Sequence, residues 1–349
     1  MKGNHEMKNE LPLVSVVMPN YNTPEVFLRA AIESILEQTY QNIEFIIIDD
    51  ASTEDDVQII KSYADDRIIL IQNESNKHVS YTLNRGLEIA RGTYIARMDS
   101  DDVSLPKRIA KQVRFLQKHS DIDVLATQAE IIGDRKGVFA TNLKDAKAMK
   151  IAIFFNCPIV NPSVLFRATF INDNALRYRT DLEYKAAEDY EFWSRCVSLG
   201  QLYEYSQVLL KYRTHAKQVS SKSSTTQIDS ANRVRKKMLA ALGITPNTRE
   251  MDIHYQFCTE SILSNIALKD SEDWAMRLIA GNAKFGIFDT KRFNSKATQH
   301  FFIIAVKSLL AKEITLAQFI KCRLTVKALS PKYYASYINR YLYSRKLNR

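Results

Sequence analysis

The sequence predicts an α/β fold, a parallel sheet flanked by helices over residues 11–217, followed by a mostly helical C-terminal region over 218–349. Three observations predict it. Short apolar runs alternate with helix-period patterns from residue 13 to 132, as stacked βαβ units require. The run at 43–49 is dominated by the apolar stretch Phe45–Ile48, as a parallel strand covered on both faces should be. From residue 229 onward the pattern is mostly helical, and the chain shows no internal repeat and no low-complexity tract.

The elements follow in order. Residues 13–18 read as a buried strand, and 25–38 as a helix whose Leu28, Ala31, Ile32 and Ile35 share one face. A strand is expected at 43–49, a helix at 54–63, a short strand at 67–72, a helix at 80–90 and a strand at 93–98. Residues 106–118 read as a helix with Pro106 in its first turn, where a missing N–H costs nothing. Residues 123–132 read as a strand, 154–166 as apolar and β-like, 185–199 as helical and 208–212 as a short strand. The stretch 218–226 is rich in Ser, Thr and Gln and reads as a linker or mobile loop.

With 46% hydrophobic residues among 349, the chain can bury a core, which argues against disorder. Its four cysteines, Cys157, Cys196, Cys258 and Cys322, show neither CxxC nor Cys/His ligand spacing. A disulfide framework or zinc site is not expected, and a reducing cytoplasm fits. Residues 1–10 are polar and do not resemble a signal peptide. The longest apolar run, 301–306, stops at Lys307, well short of the ~20 residues a spanning helix needs.

Charge is placed unevenly. Residues 291–349 hold 13 Lys/Arg against the single acid Glu313, so this segment carries all the excess of a chain whose net charge is +10. Within it Tyr334, Tyr337, Ile338, Tyr341 and Leu342 fall on one helical face, surrounded by Lys332, Arg340, Arg345 and Lys346. Such a basic amphipathic helix suits an anionic membrane interface; packing on its own domain is the other reading, and both stay open.

Five short segments carry chemistry. Pro19-Asn20-Tyr21-Asn22 follows the first strand, where α/β sheets bind ligands, although it also suits a plain turn. Asp49-Asp50-Ala51-Ser52 follows the second, and Asp50 suits a base or ribose edge, whereas Ser52 with Asp55 also reads as a capping box. Asp99-Ser100-Asp101-Asp102 follows the strand at 93–98. Three carboxylates so close repel one another unless a cation or solvent intervenes, and Mg²⁺ and Mn²⁺ prefer carboxylate oxygens; a solvated acidic turn is the plain alternative. Glu188-Asp189 opens a helix and supplies either an acidic first turn or a general base. Arg213 and His215 could neutralise a leaving diphosphate, though an Arg/His pair is more often structural.

Taken in order, strand–PNYN, strand–DDAS, N-x-G-x-x-x-A-x-G-x-Y, D-S-D-D-x-x-x-P, E-D-x-x-x-W and Y-R-x-H resemble a family 2 glycosyltransferase with the GT-A fold, a Rossmann-like nucleotide-binding sheet, over residues 14–215. The resemblance implies a nucleotide-sugar donor, UDP-linked by preference, a divalent metal (Mn²⁺ or Mg²⁺) and inverting transfer to an acceptor hydroxyl. Pro19, Tyr21, Asn22, Asp50 and Ser52 would line the nucleotide pocket, with Asn84, Gly86, Ala90, Gly92 and Tyr94 leading into the metal motif. Asp101 would ligate the metal. Asp99, the other half of the D-x-D pair and the second metal candidate, would face the donor sugar or ribose. Asp189 would be the base, and Arg213 and His215 would sit near the diphosphate on a loop that closes over the donor. The relatives implied build bacterial surface polysaccharide, capsule or O-antigen, on a lipid-diphosphate carrier, which suits a cytoplasmic enzyme docked on the inner face of the cell membrane.

Two departures bear on specificity. Asn76-Lys77-His78 stands where the family often has an N-x-G turn, and Asn161 precedes Pro162-Ser163 where a histidine is frequent. The competing readings are an inactive nucleotide-sugar or glycan binder of the same fold and a nucleotidyltransferase. Intact metal and base positions argue against the first, and the lack of a Gly-rich loop after the first strand against the second. A missing G-x-G-x-x-G disfavours a dinucleotide dehydrogenase, and no recognition motif supports nucleic-acid binding.

Overall fold

The computed structural model describes residues 11–53, 55–141, 143, 145–215, 224–262 and 266–324. The expected tail helix around Tyr334–Leu342 lies outside them. Two compact units form.

The first unit is built on a mixed sheet. Strands β1 (Val14–Asn20), β2 (Ile43–Asp49), β3 (Ile68–Gln72) and β4 (Tyr94–Arg97) run parallel. Helices α1 (Glu25–Leu36), α2 (Asp56–Lys61) and α3 (His78–Ile89) connect them. After β5 (Val103–Ser104) and α4 (Arg108–Lys118), strand β6 (Val124–Gly133) pairs with β7 (Gly137–Phe139). Strands β8 (Leu165–Arg167) and β9 (Leu202–Thr214) complete the order β3-β2-β1-β4-β8-β6-β9-β5, and α6 (Ala168–Asp173) follows β8. All seven residues of β2 are buried, which explains its apolar stretch Phe45–Ile48; the two acids of the strand are satisfied, Glu44 by Ser15 and Arg91 and Asp49 by Asn20.

Two glycines of the N-x-G-x-x-x-A-x-G-x-Y segment serve close packing. A Cβ on Gly86 would stand 2.3 Å from Val17 Cγ1, so α3 lies against β1 as only glycine allows. A Cβ on Gly92 would meet Ser15 N at 2.6 Å and Tyr94 O at 2.7 Å.

The second unit is helical. It contains α5 (Ala146–Phe155), α7 (Glu188–Leu199), α8 (Ser224–Ala241), α9 (Thr248–Thr259), α10 (Leu268–Phe285), α11 (Thr290–Leu310) and α12 (Leu316–Lys321). Its core gathers Phe154, Phe155, Phe257, Trp274, Phe293 and Phe301. Asn247 with Glu250 and Thr315 with Gln318 form capping boxes at α9 and α12. Among the described residues no helix is long and apolar enough to cross a membrane.

Several elements differ from the sequence reading. The β-like stretch 154–166 is the end of a helix, a short 3₁₀ turn at Asn161–Ser163 and the start of β8. A short apolar run does not reveal its period, and here Phe154 and Phe155 face the helical core. The strand at 208–212 is the second half of the 13-residue β9, whose pairing with β6 shifts register at Gln128 and so breaks the alternation. Arg213 therefore sits in a strand rather than a loop. Ser224–Thr226, read as linker, begin α8. A boundary at 217/218 would group α5 and α7 with the sheet, whereas their packing groups them with the later helices.

Candidate nucleotide and metal site

Four loops leave the carboxyl edge of the parallel strands, after β1, β2, β3 and β4, and polar side chains tie them together. Asn20, buried at the end of β1 and opposite Asp49, donates from Nδ2 to Asp49 Oδ1 (3.0 Å) and Asp56 Oδ2 (2.8 Å). Ser52 is not a helix cap: α2 begins at Asp56. Its Oγ donates to Asp49 Oδ1 (2.5 Å) and accepts from Asn22 N (3.0 Å), joining the first two loops. The Asn22 side chain in turn accepts from Thr53 N (2.7 Å).

Asp50 is 3% exposed. Its Oδ1 accepts from Asn73 Nδ2 (2.6 Å) and Lys77 N (2.9 Å), which fastens the loop ahead of α3. Asn22, Ala51 and His78 hold φ of 47°, 60° and 68°, so these loops take left-handed backbone at non-glycine residues. Tyr21 is 47% exposed beside them, and Pro19 is half-buried. Asn84 points elsewhere than expected: its Oδ1 accepts from Tyr178 N (2.7 Å) and its Nδ2 donates to Tyr178 O (2.8 Å), so it fastens the chain near 178 to α3.

The D-S-D-D turn follows β4. Carboxylate oxygens of Asp99, Asp101 and Asp102 lie within 4.8 Å of one another. Ser100 Oγ and Thr23 Oγ1 share a hydrogen bond of 2.7 Å, which ties this turn to the loop after β1. Arg97 pairs with Asp99. Asp102 has no solvent exposure; its Oδ1 accepts from Arg213 N (2.7 Å), while its Oδ2 is buried with no hydrogen-bond partner. Burial, then the charges of Asp101 and Asp99, pushes its carboxyl well above the usual carboxylate range. Arg213 also donates from Nε to Asp101 O (2.7 Å) and stacks over Phe27 at 4.2 Å. Arg108, fully buried at the head of α4, donates from Nη2 to Arg97 O (2.7 Å), and burial pushes its guanidinium down to about 9.

An orphaned buried carboxylate oxygen beside two further acids is the arrangement a divalent cation relieves, so the residues present fit one. The sequence reading grouped all three acids but gave the metal roles to Asp99 and Asp101; Arg97 and Arg108 were missed as partners. Three acids in four residues signalled Asp102, whereas the two arginines are brought in by tertiary packing alone.

Asp189 is the second residue of α7 and half-buried, as the expected helix start implies. His215 directly follows β9 and is half-buried. Both are described with the helical unit.

The model of glycosyl transferase family 2 matches residues 15–169, a span that holds the loops after all four parallel strands. A Haemophilus influenzae protein described as an uncharacterized glycosyltransferase is 35% identical over 64% of this chain and 72% of its own length. The chain belongs to glycosyltransferase family 2. Another relative of this glycosyltransferase is the Escherichia coli UDP-Glc:alpha-D-GlcNAc-diphosphoundecaprenol beta-1,3-glucosyltransferase WfaP, 30% identical over 70% of this chain and 92% of its own. Among solved structures, residues 1–349 of S. aureus TarS in complex with UDP-GlcNAc align with a TM-score of 0.58 at 17% identity, covering 86% of this chain and 92% of that one. The mannosyltransferase PcManGT from Pyrobaculum calidifontis, in complex with GDP-Man and Mn²⁺, aligns at 0.51 and 15%, covering 87% and 89%. Both share the GT-A-type fold of this family 2 glycosyltransferase.

Proposed function

We propose that the chain is an inverting, metal-dependent transferase that moves a sugar from a UDP-sugar to a hydroxyl of a lipid-diphosphate-linked glycan in surface polysaccharide assembly. The observation that carries the metal and nucleotide reading is the buried, unpartnered Oδ2 of Asp102 beside Asp99 and Asp101, at the strand edge where nucleotides bind. Asp101, Asp102 and Asp99 would hold Mn²⁺ or Mg²⁺, which when bound supplies Lewis-acid stabilisation of the departing diphosphate. Tyr21, Asn22 and Asp50 border the uracil and ribose, and Arg213 and His215 add positive charge for the diphosphate. The Asp189 carboxylate takes the proton from the acceptor hydroxyl. That oxygen attacks the anomeric carbon as the bond to the diphosphate breaks, which inverts the configuration. WfaP's UDP-glucose donor and lipid-linked acceptor support the substrate class. The basic tail, and the run of Lys321 and Arg323 that leads into it, would hold the enzyme against the anionic inner face of the cell membrane.

Calorimetry with UDP, GDP and dTDP, with and without Mn²⁺, tests this on the wild type and Asp101→Ala. Metal-dependent binding of UDP, lost in the variant, is expected. A folded protein that binds none of the three would overturn the metal–nucleotide site. An Asp189→Asn variant that still binds UDP but transfers at wild-type rate would remove the base assignment.

A further inference from the structure

Arg235 on α8 is 4% exposed, yet it has no carboxylate within ion-pair distance among the described residues. Its Nε is buried without a hydrogen-bond partner, and Nη1 donates to Asn232 Oδ1 (2.8 Å). The guanidinium carbon stands 5.7 Å from the centre of the Tyr190 ring and 5.6 Å from that of Tyr255. The groups around it are uncharged. Burial pushes His254 down to about 3, the Cys258 thiol up to about 11 and the Tyr190 phenol well above its usual range. A buried cation without a counter-charge is costly, and two aromatic faces recover only part of that cost. An apolar side chain of similar volume would fill the space more cheaply, so packing alone does not account for the arginine.

What Arg235 holds is the first turn of α7. Tyr190 is 4% exposed and directly follows Asp189. Its neighbour Glu191, 2% exposed, is paired with Arg195 at 2.8 Å. Of these, Tyr190 is anchored on a buried arginine of another helix, whereas the Glu191–Arg195 pair lies within α7 itself, and Glu188 and Asp189 remain half-buried. Shifting Asp189 along or around the helix axis would pull Tyr190 off the guanidinium. Building on the base role proposed for Asp189, we propose that Arg235 is a positioning residue that fixes the α7 turn carrying this carboxylate, acting through Tyr190.

The test uses the full chain with Mn²⁺ and UDP-glucose, reading UDP release for kcat and KM and calorimetry for UDP affinity. The variants are Arg235→Gln, Arg235→Lys, Asp189→Asn and the Gln/Asn double variant. Small misplacements of a reacting group cost up to about 100-fold, so Arg235→Gln is expected to lower kcat by about 10- to 100-fold with UDP affinity kept within about twofold. Arg235→Lys keeps the charge and is expected to recover part of that loss, but not all, because it lacks the planar fork. Residues that act as a unit are non-additive, so Arg235→Gln is expected to add no further loss to the residual turnover of Asp189→Asn. If Arg235→Gln fails to fold, the same comparison rests on Arg235→Lys, whose wild-type kcat would then overturn the proposal. A folded Arg235→Gln with wild-type kcat, a loss matched in UDP affinity, or a loss that multiplies on Asp189→Asn also overturns it. Wild-type turnover by Asp189→Asn removes the base role and this proposal with it. An inactive Asp189→Asn beside an unaffected Arg235→Gln removes the positioning role alone.

Discussion

Arg213 grips the acidic turn twice: its backbone N donates to Asp102 Oδ1 and its Nε to Asp101 O, each at 2.7 Å. Strand β9 thereby holds two consecutive residues of a loop that begins more than a hundred positions earlier in the chain. Replacing Arg213 with Ala removes the side-chain bond and the stacking on Phe27 while leaving the backbone bond. Hydrogen bonds to or from charged groups contribute about 1.5–3 kcal/mol, so Mn²⁺-dependent UDP affinity should fall roughly 10- to 100-fold, measured by calorimetry.

The raised carboxyl of Asp102 sets a pH dependence. Its folded-state pKa lies above the unfolded value, so the folded state holds the extra proton between the two values. Metal-free stability from this group is therefore largest at low pH and is lost as pH rises from about 4, the unfolded carboxylate value, through the folded one. Asp102→Asn should flatten that slope in thermal melts without metal and raise the melting temperature at pH 7, by about 2–4 °C for each kcal/mol relieved. It should also abolish the stabilisation that Mn²⁺ gives the wild type.

Ala51 and His78 carry side chains at φ of 60° and 68°. Left-handed backbone costs a residue with a Cβ about 1–2 kcal/mol, offset in part by the greater freedom of glycine in the unfolded chain. Ala51→Gly and His78→Gly should each stabilise the protein by about 0.5–1 kcal/mol, read as a higher denaturant midpoint with an unchanged slope. An unchanged or lower midpoint would show that contacts of the side chain outweigh the backbone strain.

Gly86→Ala tests the seat of α3. The new methyl would stand 2.3 Å from Val17 Cγ1 and 2.9 Å from Ile48 Cδ1, so helix or strand must shift. Overpacking of this kind costs about 1–3 kcal/mol. The loss should appear in thermal melts and carry over to weaker UDP binding, because α3 leads back from the loop that Asp50 fastens.

Much of the fold was legible in local patterns. The strands at PNYN, DDAS and DSDD are short, mostly apolar and punctuated by polar turns, so both their existence and their order could be read. The first residues of α7 were legible because acids favour a helix N-terminus. Illegible were the features set by contacts far apart in sequence. Asn84 sits in the middle of a matched motif, yet its amide is committed to Tyr178. Ser52 has the spacing of a cap and serves as a bridge between loops.

By itself the sequence determined the family, the parallel half of the sheet and the three acids, because period, turn residues and charge spacing are local properties of the chain. Tertiary structure alone decided that β9 runs 13 residues, that Arg213 closes on the acidic turn, and that Arg235 lies buried against Tyr190. Those outcomes depend on which distant segments pack together, and a buried charge or an orphaned oxygen is defined only by what surrounds it.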